Sequence, residues 1–133
     1  MTLRVMLVVP EGQVWAGNAE RLVAKTLDGD IGILTGHSPV IGILAPGSLV
    51  QILPEGGSSG SGWIQAAVGG GFLSVADNNI SVLAREAVLG ADVDTAAVRS
   101  ELSSAAADGQ GDDENNARVV YLAAQLRAAG QEV

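Results

Sequence analysis

Between Gly29 and Pro39 the chain reads Gly-Asp-Ile-Gly-Ile-Leu-Thr-Gly-His-Ser-Pro. Glycines alternate with branched apolar residues, and a Gly-His-Ser-Pro turn closes the run. That pattern suits a tightly bent strand whose backbone lies against another surface, because glycine removes the Cβ where two surfaces approach closely. A second run, Gly69-Gly70-Gly71-Phe72-Leu73-Ser74-Val75, follows. A strand follows its glycines where a phosphate loop needs a helix N-terminus, so the reading is a backbone bulge or close approach to another chain.

The rest of the first two thirds also reads as strand. Leu3–Val9 is an apolar strand stopped by Pro10, which has no amide hydrogen to donate. Gln13–Gly17 and Glu20–Thr26 follow, and Asp28-Gly29 signals a turn. Val40–Leu44 and Gly47–Leu53 read as two strands divided by Ala45-Pro46. Pro54–Gly62 has linker composition and is expected to be a flexible hairpin tip, since strand signals resume at Trp63–Val68. Phe72–Ala76 and Ile80–Ala84 form a hairpin across Asp77-Asn78-Asn79, whose side chains tolerate left-handed backbone. Eight or so short strands at this spacing predict an antiparallel β-sandwich or barrel. Only four residues are aromatic, so the core must be Val, Ile, Leu and Ala.

Near Gly90 the period changes. Asp92 and Asp94 are candidate N-caps for a helix running to about Ala107, with Val98, Leu102 and Ala105 on one face. Asp108–Gly111 breaks it, and a second helix starts near Asp112 or Asp113 with Val119, Leu122, Leu126 and Ala129 as its stripe, ending at Gly130. The expected division is a β-sandwich over 1–88 and a helical hairpin over 89–133. The stripes are thin and rich in alanine, so at about 25 cal/mol per Å² they yield only a few kcal/mol of docking. Two readings follow: a hairpin that a partner displaces or extends, or one that merely covers a sheet face.

Charge and composition narrow the function. A net charge of −8 with a single lysine, Lys25, argues against nucleic acid, whose phosphates need clustered cations. No run approaches the ~20 apolar residues that span a bilayer, so membrane association is expected only through a protein partner. Cysteine is absent, which excludes disulfides and thiolate metal sites and fits a reducing compartment. His37 is the sole histidine, without companions for a triad or zinc site; as a residue it reads as a turn histidine bonded to nearby backbone. The carboxylate pairs Asp28/Asp30, Asp92/Asp94 and Asp112/Asp113 all flank turns or helix starts, where capping explains them.

Together the two glycine runs resemble those of the epsilon subunit of bacterial F-type rotary ATP synthases, and the likeness extends from about Leu3 to about Leu126. The resemblance implies a non-catalytic central-stalk subunit of a proton-translocating ATP synthase, without cofactor, on the cytoplasmic side of the cell membrane. It implies that Asp30, His37 and Ser38 face the membrane ring of c subunits, and that Gly69, Gly70 and Gly71 lie on the side packed against gamma. It further implies that the hairpin inhibits ATP hydrolysis through contacts of Arg118, Arg127, Leu122 and Leu126 with the catalytic beta and alpha subunits. The family's nucleotide motif resembles Ile/Leu-Asp-x-x-Arg-Ala; Val93–Val98 matches at Asp94, but Ala97 replaces the arginine and Val98 the alanine, which argues against ATP binding. Rival readings are a free-standing β-sandwich ligand-binding module with a helical lid, and a small hydrolase using His37 and Asp30.

Overall fold

The computed structural model describes residues 2–55, 63–108 and 113–130, with side chains for all of these except 106–108 and 113–117. Seven strands precede two helices: β1 (Leu3–Val9), β2 (Gly12–Thr26), β3 (Gly29–Leu34), β4 (Val40–Pro54), β5 (Ile64–Ala76), β6 (Asn79–Ala84), β7 (Ala87–Leu89), α1 (Thr95–Asp108) and α2 (Asp113–Ala128). The expected linker tip at 56–62 and the helix break at 109–112 lie outside the described residues.

Three strands are far longer than the sequence suggests, because bulges bend them instead of ending them. The two segments expected over 13–26 form one strand, β2, with a register shift between Ala19 and Arg21. Ala45-Pro46 likewise does not divide β4; the ladder shifts between Pro46 and Ser48 and then continues. At that bend Lys25 is skipped by the β4 ladder, and the buried Ser48 hydroxyl replaces it. Ser48 donates to the Lys25 carbonyl at 2.8 Å and accepts from the Lys25 amide at 3.2 Å.

The bends sort the strands into two layers. In the first layer β3 pairs the second half of β2, which pairs the second half of β4, then the first half of β5, then β7. In the second layer the first half of β2 pairs β1, followed by β6, the second half of β5 and the first half of β4. All pairings are antiparallel except β1 with β6, which run parallel. The β5–β6 hairpin turns at Asp77 (φ 51°) and Asn78 (φ 64°), both left-handed as the sequence suggests.

Alternate residues of each strand point between the layers, where Leu3, Val5, Leu7, Leu22, Ile33 and Ile52 are fully buried. The core is aliphatic, as the composition requires. Strand structure runs one residue past the expected boundary, to Leu89, and a 3-10 turn at Gly90–Asp92 leads to α1. Asp94 caps α1 by accepting from the Ala97 amide at 3.2 Å.

Sequence periodicity assigns α2 one apolar stripe, whereas the structure gives it two. Leu122 and Leu126 pack with Val98, Leu102 and Ala105 of α1. Tyr121, Ala124 and Ala128 pack on Ala67, Leu49 and Val88, the outer face of the first layer. Val119 and Ala129, expected in the stripe, are only half-buried.

Candidate docking surface

With α2 covering the first layer, the outer face of the second layer is left to solvent, and an apolar row crosses it. Cross-strand register places Ile43 beside Phe72, Phe72 beside Leu83 and Leu83 beside Val8. The adjacent row runs Ile41, Ser74, Ser81, Met6. Ile41 is 77 % exposed, Ile43 57 %, Phe72 53 %, Leu83 47 % and Met6 40 %. Single exposed apolar side chains are ordinary; a continuous row across four strands marks an interaction face. Covering a few hundred Å² of such surface is worth on the order of 5–10 kcal/mol before association costs.

These residues were not singled out in the sequence reading, although a signal existed. Val5–Val9, and Val40–Leu44 with Gly42 among them, carry apolar residues at consecutive positions, not alternate ones. A strand buried on one face alternates apolar and polar; a continuous apolar run means that both faces are covered.

The two parts of the expected ring-facing patch are separated. Asp30 opens β3 opposite Lys25, whereas His37 follows Leu34 at its far end, roughly 13 Å along the strand. His37 donates its amide to the Leu34 carbonyl at 3.2 Å, and its Nδ1 lies 2.7 Å from the Ser38 carbonyl. The Gly36 amide is held by Asn78 Oδ1 at 2.6 Å, tying this turn to the β5–β6 turn. Asp30 instead borders an open cavity of about 470 Å³ that it shares with Lys25, Gln51 and Arg127. A hydrolase needs its base and carboxylate together, so this separation removes that rival. Among the described residues no cluster of three or more His, Asp or Glu side chains could hold a metal.

At Gly69 and Gly71 the chain itself makes a close approach, whereas a Cβ at Gly70 would meet nothing within 4 Å. A Cβ at Gly71 would fall on the Leu83 carbonyl of β6, 2.7 Å from the Ala84 Cα. One at Gly69 would meet Glu86 at 3.0 Å and the Tyr121 ring at 3.4 Å. These glycines let β5 pass from one layer to the other beneath α2.

The hairpin residues expected to reach catalytic subunits divide in two. Leu122 and Leu126 are buried between α1 and α2, out of reach of any partner in this arrangement. Arg127 is exposed. Arg118 bonds the Glu101 carboxylate of α1 at 2.8 Å and pairs with Glu86, just after β6, at 3.7 Å. Asp94 spends its carboxylate on the α1 cap.

Tyr121 lies beneath this ion pair. Burial pushes its hydroxyl from 10.0 up to about 12, and the Glu86 charge adds to the effect. A raised pKa means that the docked state holds the proton more tightly than the unfolded chain, so its stabilisation is complete below pH 10 and is lost as pH climbs from 10 to about 12. Tyr121 is the only tyrosine, so phenolate absorbance reads this group alone. The expected titration midpoint in the folded chain is about 12, falling toward the ordinary value in denaturant.

The match to known proteins is extensive. A family model described as "ATP synthase, Delta/Epsilon chain, beta-sandwich domain" matches residues 2–90. The ATP synthase epsilon chain of Thermobifida fusca is 45 % identical over 131 residues, spanning 98 % of this chain and 93 % of the relative. That of Frankia casuarinae is 46 % identical over 89 residues, 67 % of this chain and 99 % of its own. A chain in the cryo-EM structure of Euglena gracilis mitochondrial ATP synthase superposes with a TM-score of 0.73 at 22 % identity, covering 97 % of this chain and 79 % of that one, which establishes likeness of fold. Among the described residues no helix is long and apolar enough to cross a membrane. With its sandwich matched end to end and its helices included in the 131-residue alignment, the chain belongs to the family of ATP synthase epsilon chains.

Proposed function

We propose that this chain is a non-catalytic rotor subunit of a proton-translocating ATP synthase, on the cytoplasmic side of the cell membrane. The sandwich clamps the gamma subunit to the c-ring, so that ring rotation reaches the catalytic head. The observation that carries this reading is the apolar row Ile43–Phe72–Leu83–Val8, which a free monomer would leave wet. Gamma is assigned to that row and not to the glycine run. The His37-Ser38 turn and Asp30 serve as two separate ring-facing patches.

The hairpin over 89–133 is the regulatory part, acting as a brake on ATP hydrolysis once it leaves the sandwich and presents Arg118, Arg127, Leu122 and Leu126 to the beta and alpha subunits. ATP sensing by the chain is not part of this reading, because Ala97 stands where the nucleotide motif has arginine. The free-standing ligand module fits less well, since relatives at this identity are subunits by name.

Purification of the assembled complex through a tag on this chain is the direct test: gamma and the c-ring should come with it, and a chain recovered alone would end the rotor reading. The brake has its own measurement. In the assembled complex, removing residues 93–133 should raise ATP hydrolysis several-fold, and an unchanged rate would eliminate it.

A further inference from the structure

The seating of α2 on the first layer depends on three glycines. A Cβ at Gly47 would run into Val120 of α2, 2.6 Å from its carbonyl oxygen. One at Gly90 would fall on the Ala128 carbonyl, 2.6 Å from its carbon. One at Gly69 would lie 3.4 Å from the Tyr121 ring. From Val120 to Ala128 is roughly 12 Å of helix, so the C-terminal half of α2 is held close at both ends. Between them Ala124 meets Ala67, both fully buried. These side chains are small, so the fit comes from close approach of backbones and not from the volume buried.

We propose that Gly47 and Gly90 form a backbone socket that makes the docked hairpin the resting form of the chain, with Arg118 as its latch. Arg118 ties three elements: it extends from α2, bonds Glu101 on α1 and pairs with Glu86 on the sandwich. Its side chain is about half exposed, so salt screens the latch and the socket dominates. Seating is steric and therefore close to all-or-none. A lifted α2 loses the glycine contacts, frees Arg118 and uncovers the sheet face at Leu49, Ala67 and Val88 in one step. The functional meaning of that step rests on the hairpin acting as a brake; the socket itself does not.

Hydrogen exchange on the isolated full-length chain tests it without other subunits. Gly90 is the cleanest position, because its backbone is outside the left-handed region and an added Cβ meets only the Ala128 carbonyl and the Ala129 nitrogen at the end of α2. An undocked helix of this length is marginal in water, so its amides should lose protection. In Gly90→Ala the amides of 119–128 should exchange at least roughly tenfold faster, and in Arg118→Gln about threefold faster with the difference shrinking in high salt, while β1–β6 keep their protection. Gly32→Ala, where an added Cβ meets nothing within 4 Å, should match the parent. Parent-like protection of α2 in Gly90→Ala would overturn the socket. Strands losing protection in step with α2 would also overturn it, by showing that hairpin and sandwich open only as one unit. Failure of the rotor assignment would leave all these results unaffected.

Discussion

Phe72→Asp is expected to strip the chain from the rotor while leaving the chain itself folded. Phe72 sits at the middle of the apolar row, with Ile43 on one side and Leu83 on the other, and half of its surface is in water. In the free chain the aspartate is solvated, and at an exposed strand position the change costs about 1 kcal/mol at most. Under a partner subunit the carboxylate loses its water, and its direct cross-strand neighbours, Ile43 and Leu83, offer it no counter-charge. Loss of a central aromatic anchor commonly costs 2–4 kcal/mol, and a desolvated charge adds to that, so retention in the complex should fall at least ~100-fold. The measurement is co-purification with the gamma subunit beside a thermal melt of the isolated chain. Normal assembly with an unchanged melt would remove this face from the interface.

The second large effect concerns folding. Gly71→Val should prevent the isolated chain from reaching a stable native state. Gly71 has φ +145°, and its missing Cβ points at the Leu83 carbonyl, where β5 leaves the first layer and joins β6. Valine brings a clash with the neighbouring backbone and a branched side chain in a conformation it rarely adopts. The combined cost should exceed about 4 kcal/mol, a large share of the 5–15 kcal/mol that holds a domain together. Denaturant titration gives the difference, with Gly32→Val as the comparison, since a Cβ added at Gly32 meets nothing within 4 Å. Similar midpoints for the two variants would refute the steric account.

Sheet class, hairpin positions and the helical pair were legible in the chain because they rest on local chemistry: Asp77-Asn78 for the turn, Asp94 for the cap, Pro10 for a strand end. Strand length was not. Pro46 and Gly69–Gly71 look like terminators in one dimension, yet each becomes a bend when a neighbour such as Ser48 or β6 supplies the missing hydrogen bonds. The second face of α2 was missed for a related reason. Ala124 and Ala128 carry little hydrophobic signal, and only the small residues opposite, Ala67 and Gly90, make them contact residues. Likewise the separation of Asp30 from His37 follows from an uninterrupted β3, which spacing in the sequence does not reveal.

β4 and β5 each contribute one half to either layer. An ordinary sandwich resists shear between its sheets only through side-chain packing, which can slip. Here a sideways load applied at Phe72 would run along the peptide bonds of β5 to Ala67 on the opposite sheet, and one applied at Ile43 along those of β4 to Val50. Such a body transmits twist with little internal slack, at any speed slower than the opening of its own strands.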